Sequence, residues 1–112
     1  MAVQNVLLAE SQFAETTPTV IYTSPDPATT LIDKFTATNT SFFPISVTIN
    51  LVPQGGTRDT ENAIVFDYSI PEQSTYLFPE LINHFLRAGT SIHVVATLGS
   101  SLVIRASGRQ IS

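Results

Sequence analysis

Ile45-Ser46-Val47-Thr48-Ile49-Asn50-Leu51 alternates apolar and polar residues without a break. Side chains in a strand point to opposite faces in turn, so Ile45, Val47, Ile49 and Leu51 share one face, and Ser46, Thr48 and Asn50 the other. A strand with one face on a core and one toward water belongs to an antiparallel sheet. Ser91-Ile92-His93-Val94-Val95-Ala96-Thr97-Leu98 repeats the pattern with Ile92, Val94, Ala96 and Leu98 inward. Leu102, Ile104 and Ala106 continue it beyond Gly99-Ser100, which reads as a hairpin turn with Gly99 at positive φ.

Thr19 to Thr23 and Leu31 to Thr38 are rich in β-branched and aromatic residues, with Pro25-Asp26-Pro27 breaking the chain between them. Asn62 to Ile70 places Ile64, Phe66, Tyr68 and Ile70 on one face, and Ser74 to Phe78 reads as a short strand. Pro53 to Thr60 is polar and glycine-bearing and is expected to be the most mobile internal segment. One helix of about three turns is expected between Pro79 and Gly89, where Leu81, Ile82, Phe85 and Leu86 form a helical stripe. The fold class that follows is all-β: an antiparallel two-sheet sandwich, jelly-roll or immunoglobulin-like, with one short helix.

Residues 1–17 behave differently. Val3, Val6, Leu7, Leu8 and Phe13 stand among polar residues with no consistent period. The chain therefore divides into an extended N-terminal arm, 1–17, and a sandwich domain, 18–112. Fully extended, the arm reaches ~55 Å, well beyond a domain whose radius of gyration is about 13 Å. Ordering its backbone costs about 1–2 kcal/mol per residue, and burying each large apolar side chain returns about 1.5–3 kcal/mol. Such an arm orders against a partner's groove or sheet edge, or else Val6 to Ala9 is an ordinary first strand of the same domain. As an arm, its loss with residues 1–14 leaves a folded domain that no longer binds its partner.

Composition sets the limits on function. The chain has 112 residues, 43% of them apolar and 12% charged, with no cysteine and no tryptophan. That is enough for one core, with roughly half the usual supply of charge. Lys34, Arg58, Arg87, Arg105 and Arg109 stand against nine acids, for a net charge of −4. Nucleic acid and membrane are not expected partners, since phosphate binding rests on clustered Lys and Arg. No apolar run approaches the ~20 residues of a membrane span, and Met1 to Asn5 lacks the basic start of a signal peptide. Synthesis in the cytosol is the expectation.

No catalytic, metal-binding or cofactor-binding residue stands out, and no cofactor is expected. Glu80 and His84 are four apart on the expected helix, but a metal site needs three or four convergent ligands. His93 lies on the outward face of its strand with Ser91 and Thr97. There is no nucleophile elbow, phosphate loop or paired-carboxylate cleft, so an enzyme is not expected. Asn39-Thr40-Ser41 matches a glycosylation acceptor and is read as a chance match. Phe42-Phe43-Pro44 falls in a turn, and two adjacent rings of an extended segment cannot both point into one core. Either at least one lies on the rim as an anchor, or the loop curls over the sandwich end and buries both.

Four stretches, on a short acidic chain opening with an apolar-flecked segment, carry a family likeness. They are Val20-Ile21-Tyr22-Thr23-Ser24-Pro25, Leu31-Ile32-Asp33-Lys34-Phe35-Thr36-Ala37-Thr38-Asn39, Val47-Thr48-Ile49-Asn50-Leu51-Val52-Pro53 and Ile104-Arg105-Ala106-Ser107-Gly108. The chain resembles the small β-sandwich virion proteins of tailed bacteriophages. In size and layout it is similar to the capsid decoration (cement or staple) proteins of short-tailed phages of the epsilon-15 type. The resemblance implies a protein on the outer capsid surface in many copies, bridging junctions of the major capsid protein and pairing with itself about a local two-fold axis. A tail, neck or fibre component, or a glycan-binding module, is the alternative. Val6, Leu7, Leu8 and Phe13 of the arm, with Phe42 and Phe43, are the expected partner-binding residues.

Overall fold

The structure, a computed structural model, describes residues 2–112. Its strands are β1 (Val3–Ala14), β2 (Thr19–Thr23), β3 (Thr29–Asn39), β4 (Ile45–Val52), β5 (Ala63–Ile70), β6 (Thr75–Tyr76), β7 (Phe85–Leu86), β8 (Ser91–Ala96) and β9 (Leu102–Ile111). One sheet has the order β1-β9-β3-β6, with β7 also against β3; the other has the order β2-β8-β4-β5. Every pairing is antiparallel. First and last strands side by side, with most consecutive strands alternating between the two sheets and β4 beside β5, is the order of a jelly roll rather than an immunoglobulin sandwich.

Alternation builds the core as expected. Ile45, Val47 and Ile49 of β4 and Ile92 and Val94 of β8 face Ile32, Phe35 and Ala37 of β3 and Leu102, Ile104 and Ala106 of β9, all buried. Phe35, Phe78, Tyr76 and Tyr68 form a ladder of ring contacts with centroids 5.4, 4.8 and 4.4 Å apart in turn, linking edge strand β6 to edge strand β5.

The N-terminal segment is not a free arm. Met1 lies outside the described residues, and Val3 to Ala14 pairs with β9 from Val3↔Ile111 to Ala14↔Leu102. Register shifts between Leu7 and Ala9, and between Ala9 and Gln12, insert extra residues into β1. These bulges turn both Leu8 and Ala9, adjacent in sequence, into the core, and they erase the period-two signal. Ladder hydrogen bonds and this burial outweigh the cost of ordering the segment. Ala2 and Ser112 exchange backbone hydrogen bonds of 2.8 and 2.9 Å, which ties the two ends of the chain together.

The stretch from Pro79 to Gly89 holds no helix. Phe78 and Asn83 adopt positive φ (39° and 71°), which breaks helical continuity. The backbone then turns to the edge of β3 that β6 leaves open: Asn83 N–H donates to Ile32 O, and Ile32 N–H to His84 O. Unpaired strand edge outcompetes local helical preference, so Leu81 and Leu86 are buried while Phe85 stays exposed. The helical element lies instead in the Pro53-to-Thr60 region's continuation, a single 3-10 turn over Thr60–Asn62.

The loop after β4 is also pinned, contrary to its composition. Gly55 takes φ 77° in a turn closed by Gly56 N–H to Pro53 O. Asn50 Nδ2 donates to Asp59 O and Asn62 Oδ1, both at 2.8 Å. This contact folds the loop back onto β4, which is why Asn50 is buried on the nominally wet face. In the β8–β9 hairpin positive φ falls on Ser100 (53°) rather than on Gly99.

Candidate interaction surface

The strand register gathers four loops at one end of the molecule. Asn39 aligns with Leu102, Ala14 with Leu102, Ile45 with Ile70, and Val47 with Ala96. Residues 15–18, 40–44, 71–74 and 97–101 therefore share that end, and its apex is Phe42-Phe43. Both rings are outside, at 73% and 68% exposure, so the loop does not curl over to bury either.

Their position is held from below by Asn39, which is 0% exposed. Its Nδ2 donates to Phe43 O (2.7 Å) and Ile70 O (3.1 Å). Its Oδ1 accepts from the Ser41 N–H (2.9 Å) and hydroxyl (2.8 Å). The Ser41 hydroxyl also approaches Phe43 O at 2.9 Å and accepts from Phe43 N–H at 3.2 Å. Thr40 N–H and hydroxyl both donate to Ser101 O, which ties this loop to the β8–β9 hairpin. Asn39-Thr40-Ser41 is thus a turn motif with a saturated, buried asparagine, not an accessible glycosylation acceptor. A loop fixed in this way presents its rings without a large entropic cost on binding.

The remaining expected contact residues do not join the tip. Leu8 is core, and Val6 is partly buried against it. Leu7 pairs with Ser107 and Phe13 with Val103, and both are exposed on the solvent face of the first sheet, along its unpaired edge. The structure therefore divides the six residues between core (Val6, Leu8), sheet face (Leu7, Phe13) and tip (Phe42, Phe43).

Phe66, 64% exposed, was not among the expected contacts. Val47 aligns with Tyr68 but Ile49 with Val65, so β5 carries an extra residue there. Asp67 takes φ 47° and its N–H donates to Thr48 Oγ1 (3.0 Å). This bulge reverses the parity of β5: Val65 and Ile70 go in, and Phe66 comes out. An Asp at a left-handed position is the sequence signal, too weak to read without the pairing.

Titratable groups are few and scattered. Ser91 Oγ lies 2.9 Å from His93 Nε2. Burial, then the nearby Arg58 charge, lower the His93 pKa below its usual value. Asp33 and Arg109 form a forked ion pair (2.8 to 3.2 Å) across β3 and β9. Among the described residues no group of three His, Cys, Asp or Glu side chains is placed to hold a metal ion, and no helix is long and apolar enough to cross a membrane.

No family model and no curated protein sequence matches the chain. Solved structures match it by fold. A chain of the Bacillus endospore appendages, described as a family of disulfide-linked pili, aligns with a TM-score of 0.60 at 13% identity, over 98% of this chain and 88% of that one. A chain of the infectious bursal disease virus T13 particle aligns at 0.59 and 13%, over 97% of this chain and 30% of the viral one. A chain from T=1 particles derived from that virus aligns at 0.58 and 12%, over 97% and 31%. The present chain spans less than a third of those viral chains. At such identities the likeness is one of architecture: this chain has the β-sandwich fold also found in a virus-particle chain and a pilus chain.

Proposed function

We propose that the protein is a non-catalytic structural component of a virus particle, a decoration (cement or staple) protein of a bacteriophage capsid. In this reading it binds the outer shell across junctions between major capsid protein subunits and stabilises the assembled state. The observation that carries the reading is the Phe42-Phe43 tip. Two exposed rings on a loop locked by a saturated buried asparagine form a preordered protein-contact anchor. The low charge content supports it, because surfaces poor in Lys and Glu are cheaper to desolvate. Fold likeness to a virus-particle chain and a pilus chain supports it further. With no cysteine in this sequence, copies of it are not joined by disulfides. The solvent face of the first sheet, with Leu7 and Phe13, is the surface that lies on the shell. A ligand that binds only the assembled state stabilises it by mass action.

The same anchor suits a tail, neck or fibre component. Cryo-electron microscopy of purified particles of the virus that encodes the protein separates the two readings. Copies arrayed over the shell in register with its subunits are expected. A few copies confined to the tail or neck overturn decoration in favour of the alternative, and absence from the particle overturns both.

A further inference from the structure

The two ends of the sandwich complement each other. At the tip end, Phe42, Phe43 and Leu98 are exposed. The four loops there contain the carboxylates of Glu15 and Glu72 and no Lys or Arg. At the far end, where β4 finishes and β8 begins, lies a cleft of about 520 Å³ formed by Leu51, Pro53, Phe85 and Leu86 together with His84 and Arg87. No carboxylate lines it. It opens broadly to solvent, and its volume lies within the roughly 300–1,000 Å³ of ligand-binding clefts. The molecule is 46 Å along its longest axis, so a chain cannot seat its own tip in its own cleft.

We infer that the Phe42-Phe43 tip of one copy seats in the far-end cleft of a second copy, linking copies head to tail. The inference rests on the reading of the tip as a contact surface and names its partner. Apolar rings meet an apolar cleft, and acidic loops meet Arg87, so shape and charge favour the same docking. The two halves of the contact lie on opposite ends of one chain, which makes it heterologous: it leaves a free tip and a free cleft, and rows grow from both. This differs from the two-fold pairing that the family resemblance implies. On a shell, with the sheet face on the surface, such rows tie neighbouring copies across the joints they cover.

Two variants test it, each first checked for native circular dichroism. Phe42→Ala/Phe43→Ala removes the tip, and Phe85→Ala/Arg87→Glu disables the cleft; all four side chains are solvent-exposed, so folding is retained. Sedimentation velocity from roughly 1 μM to 1 mM is expected to show wild-type mass rising past the dimer with concentration. Either variant alone is expected to associate at least about 100-fold more weakly. An equimolar mixture of the two is expected to form a heterodimer that grows no further, since one intact tip meets one intact cleft. A wild type that stays monomeric overturns the inference, as does one that stops at a dimer, or a mixture that does not pair. Pelleting with purified shells scores the broader reading separately: wild type that forms rows but ignores shells defeats decoration alone, and wild type that binds shells as a monomer defeats head-to-tail linkage alone.

Discussion

Asn39→Ala is the perturbation that most directly tests how the tip is built. The alanine removes two donated and two accepted hydrogen bonds at a site without solvent access. The Ile70 carbonyl loses a buried donor, costing about 1–3 kcal/mol for an orphaned group. The Phe43 carbonyl retains the Ser41 hydroxyl, and the Ser41 N–H gains water, so together they add about 1 kcal/mol. A total of about 3 kcal/mol follows, a large share of the ~5–15 kcal/mol that holds a domain together. At about 4 °C per kcal/mol for a chain of this length, the midpoint falls by about 12 °C. Urea unfolding followed by far-UV circular dichroism suits a protein without tryptophan. Ser41→Ala is the control: it deletes two exposed bonds and one part-buried bond to Asn39 Oδ1, which keeps the Ser41 N–H, and is expected to cost about 1 kcal/mol or less. An Asn39→Ala protein within about 1 kcal/mol of wild type, or a Ser41→Ala protein equally destabilised, would refute the account of a buried hub.

Other consequences are as direct. Gly108→Ala drives a Cβ into the Leu31 carbonyl oxygen and against Leu8, and is expected to cost about 2 kcal/mol or more in the same urea assay. Deleting residues 2–14 strips β1 from β9 and uncovers the core beside Leu8, Ala9 and Ala14, so the truncated chain is expected to lose its cooperative unfolding transition instead of surviving as a domain. Asp67→Gly keeps the N–H bond to Thr48 and removes the left-handed penalty; a gain of about 0.5–1 kcal/mol in unfolding free energy is expected, and a loss would show that the Asp side chain matters. The Tyr76 phenol is pushed up to about 12 by partial burial and by Glu80, to whose Oε2 it donates at 3.1 Å. Its folded value lies above the unfolded one, so its contribution to stability is whole below about pH 10 and is lost as pH rises toward about 12. Alkaline difference absorbance is expected to resolve one tyrosine that ionises last, and Glu80→Gln to bring it earlier.

The sandwich was legible wherever a strand lay unbroken between two partners. Along β8 and β9 the alternation of Ile92 to Ala96 and Leu102 to Ala106 maps directly onto buried and open faces, and along β4 it places Ile45, Val47 and Ile49 in the core while Thr48 and Asn50 of the polar face are covered as well. It failed where pairing inserts residues. Two bulges hide β1 inside an aperiodic segment, and the Asp67 bulge sends Phe66 outward although its spacing places it with Ile70. It failed again where a tertiary partner was decisive, since Leu81, Ile82, Phe85 and Leu86 keep helical spacing yet the open edge of β3 claims the backbone. The tip was half legible. Adjacency left two outcomes open, at least one of Phe42 and Phe43 on the rim or both buried under a curled loop, and that both face out follows from Asn39 reaching Phe43 O and Ile70 O, the latter 31 residues away in sequence.

The side-by-side placement of β1 and β9 also fixes when the protein can fold. Val3 finds its ladder partner only in Ile111, and β3 lies against the other edge of that same final strand. On a ribosome the first strand emerges long before the strand that completes it, so the first sheet cannot close until the last has left the exit tunnel. Sheets dominated by such distant pairings fold on the order of milliseconds to seconds. Until then the apolar faces of β3 and β4 are open to one another and to neighbouring nascent chains. The tip is likewise set only once β9 is in place, when Asn39 aligns with Leu102 in the completed ladder.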